Sequence, residues 1–251
     1  MSDATSSGLA GVTTLLLDAD GTLFPSEEPA FAASAEVTVD FAARFGLTGN
    51  FSPEHLRRTT TGKNFRTTIQ DLLARQGVRV EPDELEIWVE REKAEVTAHL
   101  GRVLQRRPDV RACLEVLSDR YRLAVVSSSA LTRLAACFSA GGLEEFLPED
   151  VRFSAEDSLP SPISKPDPAI YLHALRRLGI GPERALAVED SATGARSAVA
   201  AGITTVGIVQ FVPPDEQQDR VDALARAGVS RVVRSWPDLT EHLVETAGVP
   251  T

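Results

Sequence analysis

Short apolar runs alternate with amphipathic stretches over most of the chain. From residue 108 onward this pattern predicts helices at 108–118, 131–140, 168–178, 192–201, 215–227 and 237–247, and strands at 122–126, 151–153, 185–188, 204–208 and 231–233. An earlier apolar run, at residues 13–17, predicts a first strand that is buried on both faces. The alternation indicates an α/β fold with a doubly wound, mostly parallel sheet and helices on both of its faces.

Residues 25–105 interrupt this alternation. Helical patterns occur at 29–45, 65–76 and 82–100, and no segment between them has the pattern of a strand. We therefore predict an all-helical insertion after the first strand, with linkers near residues 24–26 and 106–108. The remaining core comprises residues 12–24 and 106–251, and the small, polar residues 1–11 are expected to form a flexible tail.

Composition narrows the class of protein. The 251 residues carry a net charge of −10 with a pI near 5.0, and no basic face favours nucleic acid or an anionic membrane. Residues 1–11 have no basic region followed by an apolar core, so we expect no secretory signal, and no apolar run has membrane-spanning length. Cys113 and Cys137 lie in apolar helical patterns, which favours reduced thiols and a cytoplasmic location.

Two aspartates at the end of the first strand are the strongest indication of chemistry. Asp18 and Asp20 follow the run at 13–17, and Gly21 then breaks the strand. Carboxylates this close repel each other unless a cation or a shared proton relieves the repulsion. Mg²⁺ is a suitable cation because it prefers carboxylate oxygens. Taken alone, however, the pair fits a solvated turn at least as well.

Three later segments place further polar groups beyond predicted strands. Ser127 begins a run of serines ahead of a helix, where free N–H groups and a hydroxyl can hold a phosphate oxygen. Lys165 stands before two prolines and is one of three lysines in the chain. Glu189 and Asp190 end an apolar strand and complete a set of acids suited to a metal.

Each of these segments also has a purely structural interpretation. Ser127 can be a helix cap, Lys165 a solvated loop residue, and the acidic pair a favourable charge at a helix start. Parallel neighbouring strands, however, bring their carboxyl ends to one edge of the sheet. Four such polar strand ends in one chain therefore favour a shared site over four separate structural roles.

Together these segments resemble the motifs of the haloacid dehalogenase superfamily over essentially the whole chain. The motifs are Asp18-Ala19-Asp20-Gly21-Thr22-Leu23, then Ser127, Lys165 and Glu189-Asp190, in the order of the family. The helical insertion resembles the cap of the subfamily that contains β-phosphoglucomutase and phosphoglycolate phosphatase. The resemblance implies a Rossmann-like core with an inserted helical cap.

The resemblance also implies a mechanism, namely hydrolysis of a small phosphomonoester. Asp18 would attack phosphorus to form an aspartyl-phosphate, and Asp20 would serve as general acid and then as general base. Mg²⁺ would bind Asp18, the backbone carbonyl of Asp20, and Asp190, with Glu189 bound to the metal or to its waters. Phosphate and substrate contacts are implied for Ser127, Lys165, Thr22 and Ser128.

The expected substrate-specificity loop lies in the insertion, at residues 61–66. Gly62, Lys63, Asn64 and Arg66 could contact a polar or anionic leaving group, or could merely begin the next helix with the cations solvated. Lys93 resembles a cap lysine of some members, but its charged helix favours a solvated position.

Two other functions remain open at this stage. A phosphomutase of the β-phosphoglucomutase type carries a His shortly after the first motif, and residues 27–31 contain none. A non-catalytic regulatory protein on the same fold would be expected to lose the nucleophile, whereas Asp18 is present. The motifs leave the phosphate ester open among sugar phosphates, phosphoglycolate and similar metabolites.

Overall fold

The computed structural model describes residues 9, 11–60 and 64–247 and confirms the α/β fold. The strands in the described part are β1 (Thr14–Leu17), β2 (Arg122–Ser127), β3 (Arg152–Ser154), β4 (Ala185–Glu189), β5 (Thr204–Ile208) and β6 (Arg231–Val233). They form one six-stranded sheet in the order β3-β2-β1-β4-β5-β6. All neighbouring strands are parallel.

The strand order reverses between β1 and β4. The chain runs outward from β1 through β2 to β3, and then returns to the other side of β1 to form β4, β5 and β6. Open α/β sheets bind ligands at such a reversal, outside the carboxyl ends of the strands. Asp18 directly follows β1 and Asp190 directly follows β4, so the topology brings both to this point.

Helices follow the strands as the sequence predicts, with bounds that agree within two residues. They are α5 (Pro108–Ser118), α6 (Leu131–Gly141), α7 (Ala169–Leu178), α8 (Ala192–Ala200), α9 (Gln217–Arg226) and α10 (Trp236–Ala247). The buried side chains of Tyr171 on α7 and Ala198 on α8 share one hydrophobic cluster with Leu16 and Ala187 of the central strands. The same packing that forms the core thus fixes the ends of β1 and β4.

The insertion forms a compact unit of its own, Pro25–Leu104, whereas the residues up to Phe24 and from Gln105 onward form the other unit. Its helices are α1 (Glu27–Phe45), α2 (Pro53–Thr60), α3 (Phe65–Gln76) and α4 (Pro82–Val103). Phe41, Phe65, Ile69 and Leu85 belong to its separate hydrophobic core. The sequence pattern missed α2, because this short helix buries only Leu56 and Arg57 and so shows no apolar stripe.

Among the described helices, none is both long enough and apolar enough to cross a membrane.

Candidate active site

The loop after β1 is a tight turn that is fixed at both ends. The Asp18 N–H donates to the carbonyl of Val188 at 3.0 Å, and the Gly21 N–H donates to the carbonyl of Phe24 at 2.8 Å. Gly21 has a φ of +79°, and a Cβ there would collide with the carboxylate of Asp190. Only glycine fits such a turn without strain, so this residue lets the loop approach Asp190 closely.

Lys165 is buried and donates from its ammonium group to three oxygens. Nζ lies 2.6 Å from Asp18 Oδ1, 2.6 Å from Glu189 Oε1 and 2.8 Å from the carbonyl of Val126. Burial alone would lower the pKa of Lys165, but the carboxylates of Asp18 and Glu189 outweigh that effect and raise it. The ammonium group therefore stays charged and ties the first motif to the last.

Glu189 is buried, and its two oxygens have different surroundings. Oε1 accepts from Lys165 and also from the Tyr171 hydroxyl at 2.5 Å, whereas Oε2 is buried without a hydrogen-bond partner in the structure. Burial, and next the charge of Glu189, raise the pKa of Tyr171 well above its usual value, so the phenol remains a donor. A buried carboxylate oxygen without a donor is suited to bind a cation.

Asp190 accepts hydrogen bonds on both carboxylate oxygens. Thr22 Oγ1 donates to Oδ1 at 3.4 Å, and Arg220 Nη1 on α9 donates to Oδ2 and to the Asp190 backbone carbonyl, both at 3.0 Å. Thr22 is completely buried, and its backbone carbonyl accepts from the indole nitrogen of Trp236 at 2.9 Å. In this structure the hydroxyl of Thr22 therefore faces a predicted metal ligand, while its predicted substrate contact stays a prediction.

The residues around this point fit a small divalent cation. Asp18, Glu189 and Asp190 each offer one oxygen, and these oxygens lie within 4.8 Å of one another. Burial raises the pKa of the Asp18 carboxyl well above its usual range, and Glu189 and Asp190 raise it further, while Lys165 acts in the opposite direction. Buried carboxylates that repel one another and offer hard oxygen ligands favour Mg²⁺ or a similar ion.

Asp20 lies at the same edge of the sheet but is more accessible than Asp18. Its side chain is 27% exposed, against 10% for Asp18. Ser129 Oγ donates to Asp20 Oδ2 at 2.6 Å, and Arg133 Nη2 donates to Oδ1 at 3.3 Å. Two donors beside the start of α6 thus hold both oxygens of a carboxylate that solvent or substrate can reach.

The serine run before α6 makes hydrogen bonds within its own loop. Ser127 is buried, and its Oγ accepts from the Ser129 N–H at 3.0 Å. The carboxylate of Asp157, rather than a serine, accepts from the Leu131 N–H at 2.6 Å at the start of α6. Ser128 is partly exposed. Phosphate contacts of Ser127 and Ser128 stay predictions.

The predicted specificity loop is only partly described. Gly62 and Lys63 lie outside the described residues. Asn64 caps α3 by accepting from the Thr67 N–H at 2.9 Å, and Arg66 Nη2 donates to Glu86 Oε2 at 2.8 Å. Both contacts are made within the helical unit, so roles of Asn64 and Arg66 in substrate binding stay predictions. Lys93 lies 4.0 Å from Glu90 on the charged face of α4.

Sequence reasoning did not identify four residues that surround the site. Arg133 lies in the first turn of α6, only four residues after Ser129, and this closeness in sequence could have linked it to the serine motif. Tyr171 lies on the apolar face of α7, where a buried hydroxyl needs a partner. Arg220 comes from a distant helix, and no local pattern marks it. The fourth residue, Ser129, belongs to the serine run, and the sequence does not indicate its contact with Asp20.

Comparisons with known proteins identify the family of this chain. A family model described as haloacid dehalogenase-like hydrolase matches residues 12–202. The chain is 31% identical over 236 residues to the protein CbbY of Cereibacter sphaeroides, a match that covers 91% of this chain and 94% of that protein. It is 29% identical over 222 residues to the phosphorylated carbohydrates phosphatase of Thermotoga maritima, covering 88% of this chain and 93% of the relative.

A solved structure of a related protein has a similar fold. CbbY from Rhodobacter sphaeroides, crystallised as a variant in complex with xylulose-(1,5)bisphosphate, matches with a TM-score of 0.70 at 27% identity. The match covers 91% of this chain and 96% of that chain. The chain therefore belongs to the haloacid dehalogenase-like hydrolase family.

Proposed function

We propose that this hydrolase is a Mg²⁺-dependent phosphatase that cleaves a small phosphomonoester through an aspartyl-phosphate on Asp18. The observation that carries the proposal is the position of Asp18, which Lys165 fixes beside Glu189 and Asp190 at the reversal of the sheet. Asp20, on the same loop, supplies a second and more accessible carboxylate. Phosphoryl transfer requires mainly alignment and neutralisation of charge, and this set of residues supplies both.

Asp18 is the proposed nucleophile. Lys165 holds one of its oxygens, and attack on phosphorus requires the other. The carboxylate forms a bond to phosphorus as the bond between phosphorus and the alcohol oxygen breaks. Lys165 and Ser127 would then hold phosphate oxygens during this transfer, and Thr22 and Ser128 are proposed to contact the substrate.

Asp20 is the proposed general acid and base. It would donate a proton to the departing alcohol oxygen and later accept one from the water that hydrolyses the aspartyl-phosphate. Ser129 and Arg133 hold its carboxylate from two sides, which limits the orientations it can adopt. This fixed orientation supports proton transfer at one defined position.

The proposed ligands of Mg²⁺ are Asp18, Asp190 and the backbone carbonyl of Asp20, with Glu189 bound directly or through water. When bound, the ion supplies positive charge to the phosphate oxygens and to the buried carboxylates. The orphaned Oε2 of Glu189 and the raised pKa of Asp18 support such a site.

A phosphorylated carbohydrate is the proposed substrate class. The Thermotoga maritima relative is named a phosphorylated carbohydrates phosphatase, and the CbbY structure contains a sugar bisphosphate. Both matches cover about nine-tenths of this chain, including the helical insertion. We expect the reaction to take place in the cytoplasm, because Cys113 and Cys137 are free, buried thiols.

A substrate panel tests the proposal. Release of inorganic phosphate is measured for sugar phosphates, sugar bisphosphates, phosphoglycolate and nucleotides, with Mg²⁺ and with excess EDTA. Halide release from a 2-haloacid is the control for the other chemistry of the family. We expect Mg²⁺-dependent phosphate release that is fastest with a phosphorylated sugar. Halide release without phosphate release, or isomerisation of a sugar phosphate without net hydrolysis, would contradict the proposal.

A further inference from the structure

Arg220 is a second buried cation at the carboxylate cluster. Its side chain is 15% exposed, and one guanidinium nitrogen contacts both the carboxylate and the backbone carbonyl of Asp190. The residue lies on α9, outside the four motifs of the family resemblance. The motifs that indicate the site therefore do not include it.

The contact places Arg220 in competition with a metal ion. Asp18, Glu189 and Asp190 form the described cluster of candidate ligands, and Lys165 already contacts two of them. Arg220 pairs with the third. Each cation beside the cluster lowers the negative potential that attracts a divalent ion, and burial makes this effect stronger than it would be in water.

We propose that the ion pair of Arg220 with the carboxylate of Asp190 weakens the affinity of the site for Mg²⁺. This inference rests on the proposed metal-dependent function. In the absence of the ion, Arg220 compensates the charge of Asp190. A bound ion would use the same carboxylate as Arg220, and the positive charge of the guanidinium would then make the ion easier to release.

The geometry allows Arg220 to be replaced without loss of its helix. Leu224, one turn further along α9, is completely buried in a hydrophobic cluster with Ala195 and Val209. This packing holds α9 in place independently of the ion pair. Arg226 lies exposed on the same helix and offers a matched control, because its replacement removes the same formal charge.

The test measures binding of Mg²⁺ alone, by calorimetry, to metal-free wild type, Arg220→Gln, Arg220→Lys and Arg226→Gln. We expect Arg220→Gln to bind at least about threefold more tightly than wild type, because the repelling charge is gone. The Mg²⁺ affinity of Arg220→Lys should be closer to that of wild type, and the Mg²⁺ affinity of Arg226→Gln should equal that of wild type. In EDTA, Arg220→Gln should melt at a lower temperature than wild type, and saturating Mg²⁺ should raise its Tm by more.

Equal or weaker Mg²⁺ binding by Arg220→Gln would overturn the inference, since it would show that Arg220 only positions Asp190. An equal gain in Arg226→Gln would also overturn it, because the effect would then come from net charge. If the wild type hydrolyses phosphate esters with Mg²⁺, and Arg220→Gln binds Mg²⁺ with the same affinity as the wild type, this inference alone would be refuted. Wild-type protein without any response to Mg²⁺ would refute the proposed metal site as well.

Discussion

Lys165 has a structural role in addition to the catalytic role proposed for it. Its ammonium group is the buried donor between Asp18 and Glu189, so the acids at the ends of β1 and β4 can lie together before any metal binds. The sequence signalled this position because only three lysines occur in the chain and two prolines follow this one closely. Lys93, in contrast, lies at the surface of α4 beside Glu90.

Replacing Lys165 by Met should destabilise the metal-free protein by about 3 kcal/mol or more, because it leaves buried carboxylates without their cation. Urea unfolding in EDTA measures the loss. Lys93→Met is the control and should change the free energy of unfolding by no more than about 0.5 kcal/mol. Losses of similar size in the two variants would contradict the pairing assigned to Lys165.

The two cysteines give a second prediction at this scale. Burial raises the pKa of the Cys137 thiol to about 12, and burial also raises that of Cys113. Because the thiolate is the reactive form, both should resist a thiol reagent at pH 8 in the native protein. Both should react once the protein is unfolded without reductant. A native disulfide, or rapid labelling of the folded protein, would contradict this expectation.

At the scale of elements, the site depends on strand ends and on the helices that follow them. The sequence predicted the strands and helices of the core because prolines and glycines mark their ends and apolar runs mark their interiors. It identified Asp18, Lys165, Glu189 and Asp190, which the fold brings together, because all lie at or beyond strand ends. It missed Arg220, since its contact with Asp190, the residue after β4, depends on tertiary packing, which no local pattern reveals.

Gly194 at the start of α8 tests this packing. A Cβ at this position would overlap the carboxylate of Glu189, so Gly194→Ala should displace that side chain. We expect Gly194→Ala to have a lower Tm and a phosphatase activity that responds less to Mg²⁺. Alanine normally has the opposite effect on stability, because it stabilises a helix by about 0.5–1 kcal/mol relative to glycine. Gly101→Ala, at an exposed position within α4, should show the usual stabilisation. Stabilisation of both variants would contradict the close approach of α8 to Glu189.

At the scale of the whole molecule, the chain consists of two units with separate cores. The boundary falls after Phe24 and after Leu104, and Asp18 and Asp20 lie shortly before the first crossing. A segment that covers an active site excludes water and helps to select the leaving group. A cap role for Pro25–Leu104 stays a prediction, and it has a clear consequence. Residues in the insertion should affect recognition of the alcohol more than transfer of the phosphate.

Lys63→Ala and Arg66→Ala test that consequence. We expect kcat/KM for the preferred sugar phosphate to fall about tenfold or more, because each change removes a charged hydrogen-bond donor. Hydrolysis of p-nitrophenyl phosphate should fall much less, since that ester offers few polar groups. Kinetics of both variants on both esters provide the measurement.

Glu86→Gln is the control for Arg66, because it removes the partner of Arg66 within the helical unit and keeps the arginine. If Arg66 only stabilises that unit, Glu86→Gln and Arg66→Ala will have the same effect on both esters. Equal losses on the two esters for Lys63→Ala would likewise show that the loop does not recognise the leaving group.

Asp18 is the proposed nucleophile of a metal-dependent phosphatase. The most direct test compares p-nitrophenyl phosphate hydrolysis by wild type and Asp18→Asn in the same Mg²⁺ buffer, with circular dichroism and Tm measured on both. We predict a wild-type rate that EDTA abolishes, and a rate at least about 1,000-fold lower in a variant that remains folded. Appreciable Mg²⁺-dependent turnover by pure, folded Asp18→Asn would contradict the claim.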